Sequence, residues 1–245
     1  MLLGVLERLS IRLPTLCHME GLSPYGACRL CLVEIHGPGR VRISTACNLP
    51  VEGGGVYVSA SERLDRMRRH VAELHLARCP DEPEVRRIAR SLGARRSRLR
   101  PVHESCVLCG MCERVCREVV GAAAIGFAGR GGARRLDMAY GEPPGECIGC
   151  GACSFVCPTG AIRMDEVAIE RLRRLAGSER PCRHALSGLV PGALCPMSYD
   201  CVRCEIDQRL REVAGTHPVF VLRATAAARK LAEHLMRTRP AGEGG

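Results

Sequence analysis

The sequence predicts an α+β chain organised around bound metal, and three observations predict it. Eight of its 17 cysteines fall into two copies of one pattern, Cys106-x2-Cys109-x2-Cys112-x3-Cys116 and Cys147-x2-Cys150-x2-Cys153-x3-Cys157-Pro158. Between residues 32 and 58, short segments alternate apolar and polar residues between glycine- and proline-rich breaks, as small strands do. From residue 61 to 93, apolar residues recur at helical spacing.

Composition narrows the classes. The 245 residues allow one or two domains, and 3% aromatic content with no Trp leaves the core to Leu, Val, Ile and Ala, with cofactors substituting for part of it. Clustered Cys-x2-Cys spacing points to metal rather than to a secreted disulfide framework. Glu7 and Arg8 interrupt the apolar start, so no signal peptide is read there, and no stretch reaches the ~18 apolar residues of a membrane span. The expected compartment is cytoplasmic and reducing. The formal charge of +10 counts every cysteine as neutral. Cysteine thiolates that hold metal would lower it, to near +4 for three four-thiolate centres at about −2 each. No recognition helix or aromatic stacking motif accompanies the charge, so nucleic acid is not expected as a partner.

Taken in order, Met1–Leu6 reads as a helix. Cys17, Cys28, Cys31 and Cys47 follow with the spacing C-x10-C-x2-C-x15-C. Gly26 and Ala27 are small enough to let backbone amides approach sulfur. Leu32–Ile35 and Val41–Ser44 read as strands joined by the turn Gly37-Pro38-Gly39, and Val56–Val58 as a third strand. Residues 61–78 read as a helix opened by Ser61 or a neighbour, with Leu64, Met67, Val71, Leu74 and Ala77 on one face; a second helix covers roughly 81–93, punctuated by Pro83 and stopped by Gly93. Cys79 is expected to be a small buried or half-buried hydrophobe, and His70 and His75 ordinary helix residues. Arg95–Arg100 reads as a solvated linker or a partner-facing patch.

The two four-cysteine runs carry the chemistry. Their spacing is the ligand pattern of a two-cluster bacterial ferredoxin, in which the fourth cysteine of each run reaches across to the other cluster. This assigns Cys106, Cys109, Cys112 and Cys157 to one [4Fe–4S] cluster, and Cys147, Cys150, Cys153 and Cys116 to the second. A pair of zinc sites would need no exchanged ligand. Val107, Leu108, Met111, Val115, Ile148, Phe155 and Val156 are expected to keep water from the clusters. The glycine-rich segment 126–132 reads as a loop and hairpin, since no strand–helix context supports a phosphate loop.

The segments PTLCHMEGLSPYGACRLCLVEI and ISTACNLPVEGG resemble the ferredoxin domain that opens the large iron–sulfur subunit of respiratory complex I, also found in the small diaphorase subunit of NAD-reducing hydrogenases, in iron-only hydrogenases and in NAD-dependent formate dehydrogenases. CVLCGMCERVCREVVGAAAIGFAGRG and GECIGCGACSFVCPTGAI resemble the two-cluster segment that follows in those proteins. The resemblance covers about residues 1–165. It implies Cys17, Cys28, Cys31 and Cys47 as ligands of one [2Fe–2S] cluster, a plant-type β-grasp fold, and a role as an electron wire beside a flavin subunit. Against that pattern, the chain opens at the first helix, so a leading hairpin of about 20 residues is expected to be missing. The His-x3-Cys-x2-Cys-x5-Cys site of complex I relatives is absent, since Cys79 stands alone there.

The last region carries Cys182-x12-Cys195-x5-Cys201-x2-Cys204. Four cysteines in ~23 residues favour a metal site, with zinc and a further iron–sulfur cluster both open on spacing alone, and a redox-active or merely buried cysteine group as the alternative. Val219–Arg239 reads as a basic helix.

The expected domains are a [2Fe–2S] domain over 1–60, a helical linker over 61–100, a two-[4Fe–4S] module over 101–168, and a Cys-rich helical region over 169–245. No dinucleotide fingerprint, flavin signature or hydrolytic triad is found. The expected function is electron transfer within a flavin-dependent NAD(P)H-linked oxidoreductase complex, beside a flavin/NAD(P)H-binding subunit and a catalytic redox subunit. An iron–sulfur sensor or a free-standing ferredoxin shuttle is the alternative.

Overall fold

The computed structural model describes residues 1–138 and 146–223, with side chains at 164, 165 and 221–223 left aside. The expected basic helix over Val219–Arg239 lies largely outside the described residues; Pro218–Arg223 is a 3₁₀ turn. The chain is mixed helix and small sheet, and it divides into two units, Met1–Met111 with Cys157–Ala161, and Cys112–Val156 with Ile162 onward.

In the first unit, helix α1 (Leu2–Arg8) buries Leu2, Leu3 and Leu6. Those side chains form one core with Val33, Ala46, Cys31 and Cys47, so two of the expected ligands sit inside the apolar contact that seats the helix on the sheet. Each fully buried leucine contributes roughly 1.5–3 kcal/mol. Strands β1 (Leu32–Gly37), β2 (Arg40–Thr45) and β3 (Val56–Val58) make an antiparallel sheet in the order β2-β1-β3. The β1–β2 turn needs only Pro38 and Gly39; proline presets its φ and Gly39 takes φ +86°. Alternation along β1 fails at its start, where Leu32, Val33 and Glu34 are all buried. Glu34 is tolerated there because His36 and Ser61 hydrogen-bond its carboxylate at 3.1 and 2.8 Å.

Helix α2 (Glu62–Arg78) begins where the capping rule puts it, with Ser61 Oγ accepting from Leu64 N at 3.2 Å. Its buried face is rotated from the expected one. Leu64, Arg68, Ala72, Leu76 and Ala77 turn inward, while Leu74 is exposed. Arg68 decides the rotation: its guanidinium donates to the carbonyls of Leu32 (2.5 Å) and Ser59 (2.7 Å), tying the helix to the sheet. Helix α3 (Pro83–Ser91) has Pro83 in its first turn and packs on α2; Gly93 follows it at φ +74°.

In the second unit, helix α4 (Met111–Arg114) runs into a π-helical turn, Val115–Val120, that ends at Gly121. Strands β4 (Gly126–Ala128) and β5 (Arg135–Asp137) form the expected hairpin, with Arg134 stacked 4.3 Å from the Phe127 ring. The remaining helices are α5 (Ala152–Val156), α6 (Met164–Arg173), α7 (Arg183–Leu186) and α8 (Glu205–Ala214), the last stopped by Gly215 at φ +61°. No helix among the described residues is long and apolar enough to cross a membrane.

Candidate metal centres

All 17 cysteines are free thiols and none is exposed. Sixteen of them fall into the four groups read from the sequence; Cys79, buried at the C-terminus of α2, stands apart as expected.

In the first unit, Cys17, Cys28, Cys31 and Cys47 are all buried. The loops that bring them together turn through left-handed backbone at Gly26 and Arg29. That winding aims amides inward: Leu16 N donates to Cys28 Sγ and Cys28 N to Cys17 Sγ, each at 3.4 Å. The Cys17 and Cys28 sulfurs are themselves 3.4 Å apart. Gly26 is required twice over. It sits at φ +70°, and a Cβ there would stand 2.9 Å from Asn48 Nδ2. The crowded sulfurs bias one another: hydrogen bonding with Cys17, then burial, raises the Cys28 thiol, whereas a hydrogen bond with Cys47 lowers Cys31. Four buried sulfurs with converging amides suit a small polynuclear cation, which removes the protons and neutralises the thiolates.

Cys106, Cys109 and Cys157 also lie in the first unit. Burial pushes the Cys109 thiol up to about 12, and the charges of Cys157 and Cys106 act on it in the same direction, as does that of Cys17. Cys157 therefore stands near Cys106 and Cys109, 48 residues or more earlier in sequence. Cys112, buried, opens the second unit. Leu108 and Gly110 take positive φ, and Leu108 N donates to Cys106 Sγ at 3.4 Å.

Cys116, Cys147, Cys150 and Cys153 line one cavity of the second unit, together with Val120, Ala122, Ile125 and Ile148. Cys116 comes from the π-helical turn, a local irregularity that often marks functional positions. Ala124 N donates to its sulfur at 3.3 Å. Gly149 and Gly151 alternate with the cysteines at φ +62° and +77°. Burial raises the Cys150 thiol to about 11. An apolar, amide-lined chamber with four sulfurs on its wall suits a cluster of the [4Fe–4S] kind. Phe155, expected to shield it, is instead exposed, 5.3 Å from the His217 ring and 6.3 Å from Phe220.

The fourth group is also gathered. A bridge between Pro181 and Leu194 is closed by Cys182 N to Ala193 O (2.8 Å) and Cys195 N to Arg180 O (2.9 Å), which puts Cys182 and Cys195 on one face. Cys201 sits on a 3₁₀ turn and Cys204 caps α8. Tyr199 N donates to Cys195 Sγ at 3.2 Å. The charges of Cys195 and Cys204 act on both Cys182 and Cys201. Among the described residues, no three His, Cys, Asp or Glu side chains close on a point that would hold one metal ion.

Four side chains that hold these loops carry no motif. His75 Nε2 donates to the Cys28 carbonyl at 2.9 Å. Arg78 Nε donates to the Cys106 carbonyl at 2.7 Å, and Arg171 Nη2 to that of Cys147 at 2.6 Å, so the first cysteine of each four-cysteine run is gripped by an arginine. Arg183 is buried and bonds Asp207 Oδ1 at 3.1 Å. Asp207 also accepts from His184 (2.7 Å) and Arg211 (2.5 Å); burial alone would raise its carboxyl, but these three donors hold it well below the ordinary range.

Comparison with known proteins finds iron–sulfur domains in two stretches of the chain. Residues 1–62 match a 2Fe-2S iron–sulfur cluster binding domain, and residues 143–163 a 4Fe-4S binding domain. The chain is 38% identical over 179 residues to the NADPH-Fe(3+) oxidoreductase subunit alpha of Geobacter sulfurreducens, covering 63% of this chain and 21% of that one. It is 32% identical over 190 residues to an NADH-quinone oxidoreductase subunit of Rhizobium meliloti, covering 65% and 22%. With the NADP-reducing hydrogenase subunit HndD of Solidesulfovibrio fructosivorans the identity is 28% over 212 residues, covering 73% and 36%. The chain thus spans about a fifth of the first two relatives and about a third of the third. A chain in the crystal structure of an NAD+-reducing [NiFe]-hydrogenase matches with TM-score 0.56 and 28% identity, over 65% of this chain and 78% of that one. The resemblance read from the cysteine segments therefore holds: the chain is similar to subunits of NAD(P)H-linked oxidoreductases and hydrogenases.

Proposed function

We propose that this chain is the iron–sulfur electron-transfer part of an NAD(P)H-linked oxidoreductase complex, holding one [2Fe–2S] cluster on Cys17, Cys28, Cys31 and Cys47 and two [4Fe–4S] clusters. The ligands of the latter are Cys106, Cys109, Cys112 and Cys157 for one, and Cys116, Cys147, Cys150 and Cys153 for the other. Clusters of these kinds accept and release one electron at a time, with plant-type [2Fe–2S] centres near about −400 mV.

The observation that carries the reading is the last turn of α2. His75 holds the Cys28 loop and Arg78 the Cys106 loop, and three residues of helix rise only ~4.5 Å. One rigid element thus fixes two cysteine loops side by side, and the charge of Cys17 reaches Cys109. Fixed short separation is what a conductor needs. The three-stranded sheet with α1 on its face supports a β-grasp reading for residues 1–60, with α2 and α3 as the linker. A flavin/NAD(P)H-binding subunit and a catalytic redox subunit are the partners this reading requires.

Anaerobically purified chain should carry at least about ten irons, the sum for those three clusters, and its visible absorption should bleach with dithionite. Cys28→Ser should remove about two of them and the [2Fe–2S] EPR signal alone. Colourless protein with no reduced EPR signal would overturn the reading.

A further inference from the structure

The fourth cysteine group is not isolated from the third. Helix α6 lies against both. On one side Arg171 grips the Cys147 carbonyl, and the backbone of Gly149 is so close that a Cβ there would meet Ile169 Cγ1 at 3.1 Å and Ala168 Cβ at 3.6 Å. On the other side Ile169 packs into the apolar cluster of Cys195, Tyr199 and Leu172. A single isoleucine thus touches the loop between Cys147 and Cys150 and the core around Cys195. The two groups are separated by no more than one helix, ~10 Å across.

A buried cation faces both groups. Arg183, adjacent to Cys182, is close enough for its charge to act on the thiols of Cys150 and Cys201 alike. Its Nε has no hydrogen-bond partner among the described residues. Asp207 is shared with His184 and Arg211, so one carboxylate is set against three donors. A buried arginine is costly without nearby negative charge, and thiolate-bound metal on both sides supplies it.

We propose that Cys182, Cys195, Cys201 and Cys204 hold a further [4Fe–4S] cluster, in series across α6 with the cluster of Cys116, Cys147, Cys150 and Cys153. This rests on the second [4Fe–4S] site proposed above. Each iron of a [4Fe–4S] cube takes one cysteine, so four sulfurs need only flank the cluster; a tetrahedral zinc ion asks all four to meet at one centre. A structural zinc also has no use for a cation shared with a redox neighbour. Near both groups, the Arg183 charge raises both reduction potentials. Exchange between the sites moves one electron, oxidising one cluster and reducing the other, with no bond made or broken.

The test uses the full chain, purified anaerobically, with iron and zinc counted and EPR recorded after dithionite. About fourteen irons per chain and no stoichiometric zinc are expected. The double variant Cys201→Ala/Cys204→Ala should lose about four irons, and only the spin–spin splitting that the fourth cluster imposes on its neighbour should disappear. Arg183→Gln should lower both potentials in a redox titration, and Arg183→Lys should restore them. About ten irons with one zinc, the zinc alone lost in the double variant, would overturn this proposal and leave the three-cluster function standing. Wild-type iron far below ten would overturn both.

Discussion

Single residues set the limits of these sites. Gly26→Ala should cost roughly 1–3 kcal/mol, since it puts a side chain at positive φ and drives a Cβ against the Asn48 amide; denaturant unfolding of the iron-loaded protein measures it, and a cost under about half a kcal/mol would contradict the crowding. His217 offers a pH test away from the sulfurs. Burial, aided by the charges of Arg183, Arg211 and His184, holds its pKa down to about 4, and Nδ1 accepts from Val219 N at 3.2 Å, as a neutral ring can. The folded protein therefore binds fewer protons than the unfolded chain between pH ~6.5 and ~4. Stability is full above that window and falls with pH inside it, by roughly 1 kcal/mol from pH 7.5 to 5.5. His217→Gln should flatten that slope in urea titrations at the two pH values; an equal slope would remove His217 from the account.

At the scale of elements, helices act as clamps on cysteine loops. Ser61 caps α2 and donates to Glu34, joining helix to sheet. Ser61→Ala should lose roughly 1–2 kcal/mol, a cap plus a partner for a buried carboxylate, read as a lower urea midpoint. Arg78→Met and Arg171→Met each remove a charge-assisted bond to a cysteine carbonyl, a loss of roughly 1.5–3 kcal/mol. Iron content at purification should be unchanged, but loss to a chelator should quicken roughly tenfold in each, from one [4Fe–4S] site only. Equal rates in wild type and variants would reduce both arginines to surface packing. Spacing made the helix start and the hairpin turn legible, because caps and turns are local. The buried face of α2 was not, since a hydrophobic pattern has no means of announcing that Arg68 would turn inward to two carbonyls.

For the whole molecule, metal is part of the core. An aromatic fraction of 3% without Trp leaves the apolar interior thin, and eleven cysteines are buried within it. Stripping iron anaerobically should therefore lower the thermal midpoint by on the order of 10 °C or more, and reconstitution with iron and sulfide should restore it. An apoprotein as stable as the loaded one would mean that the apolar residues suffice alone. Charge would change at this scale as well, since each proposed cluster would add about −2 to a chain of formal charge +10.

The grouping of the cysteines was readable because Cys-x2-Cys spacing reflects a local demand: a tight loop that presents thiolates to one centre, which few other chemistries need. The Ser61 cap, the Pro38-Gly39 turn and the solitary state of Cys79 follow from equally short-range rules. Tertiary structure alone decided which far-off side chains secure the loops. His75 finds Cys28 across 47 residues, Arg78 finds Cys106 across 28, and Arg171 finds Cys147 across 24. It also decided that Ile169 touches two cysteine groups. Such pairings depend on where the packed elements bring backbone carbonyls and apolar faces together in space, and no periodicity along the chain encodes that meeting.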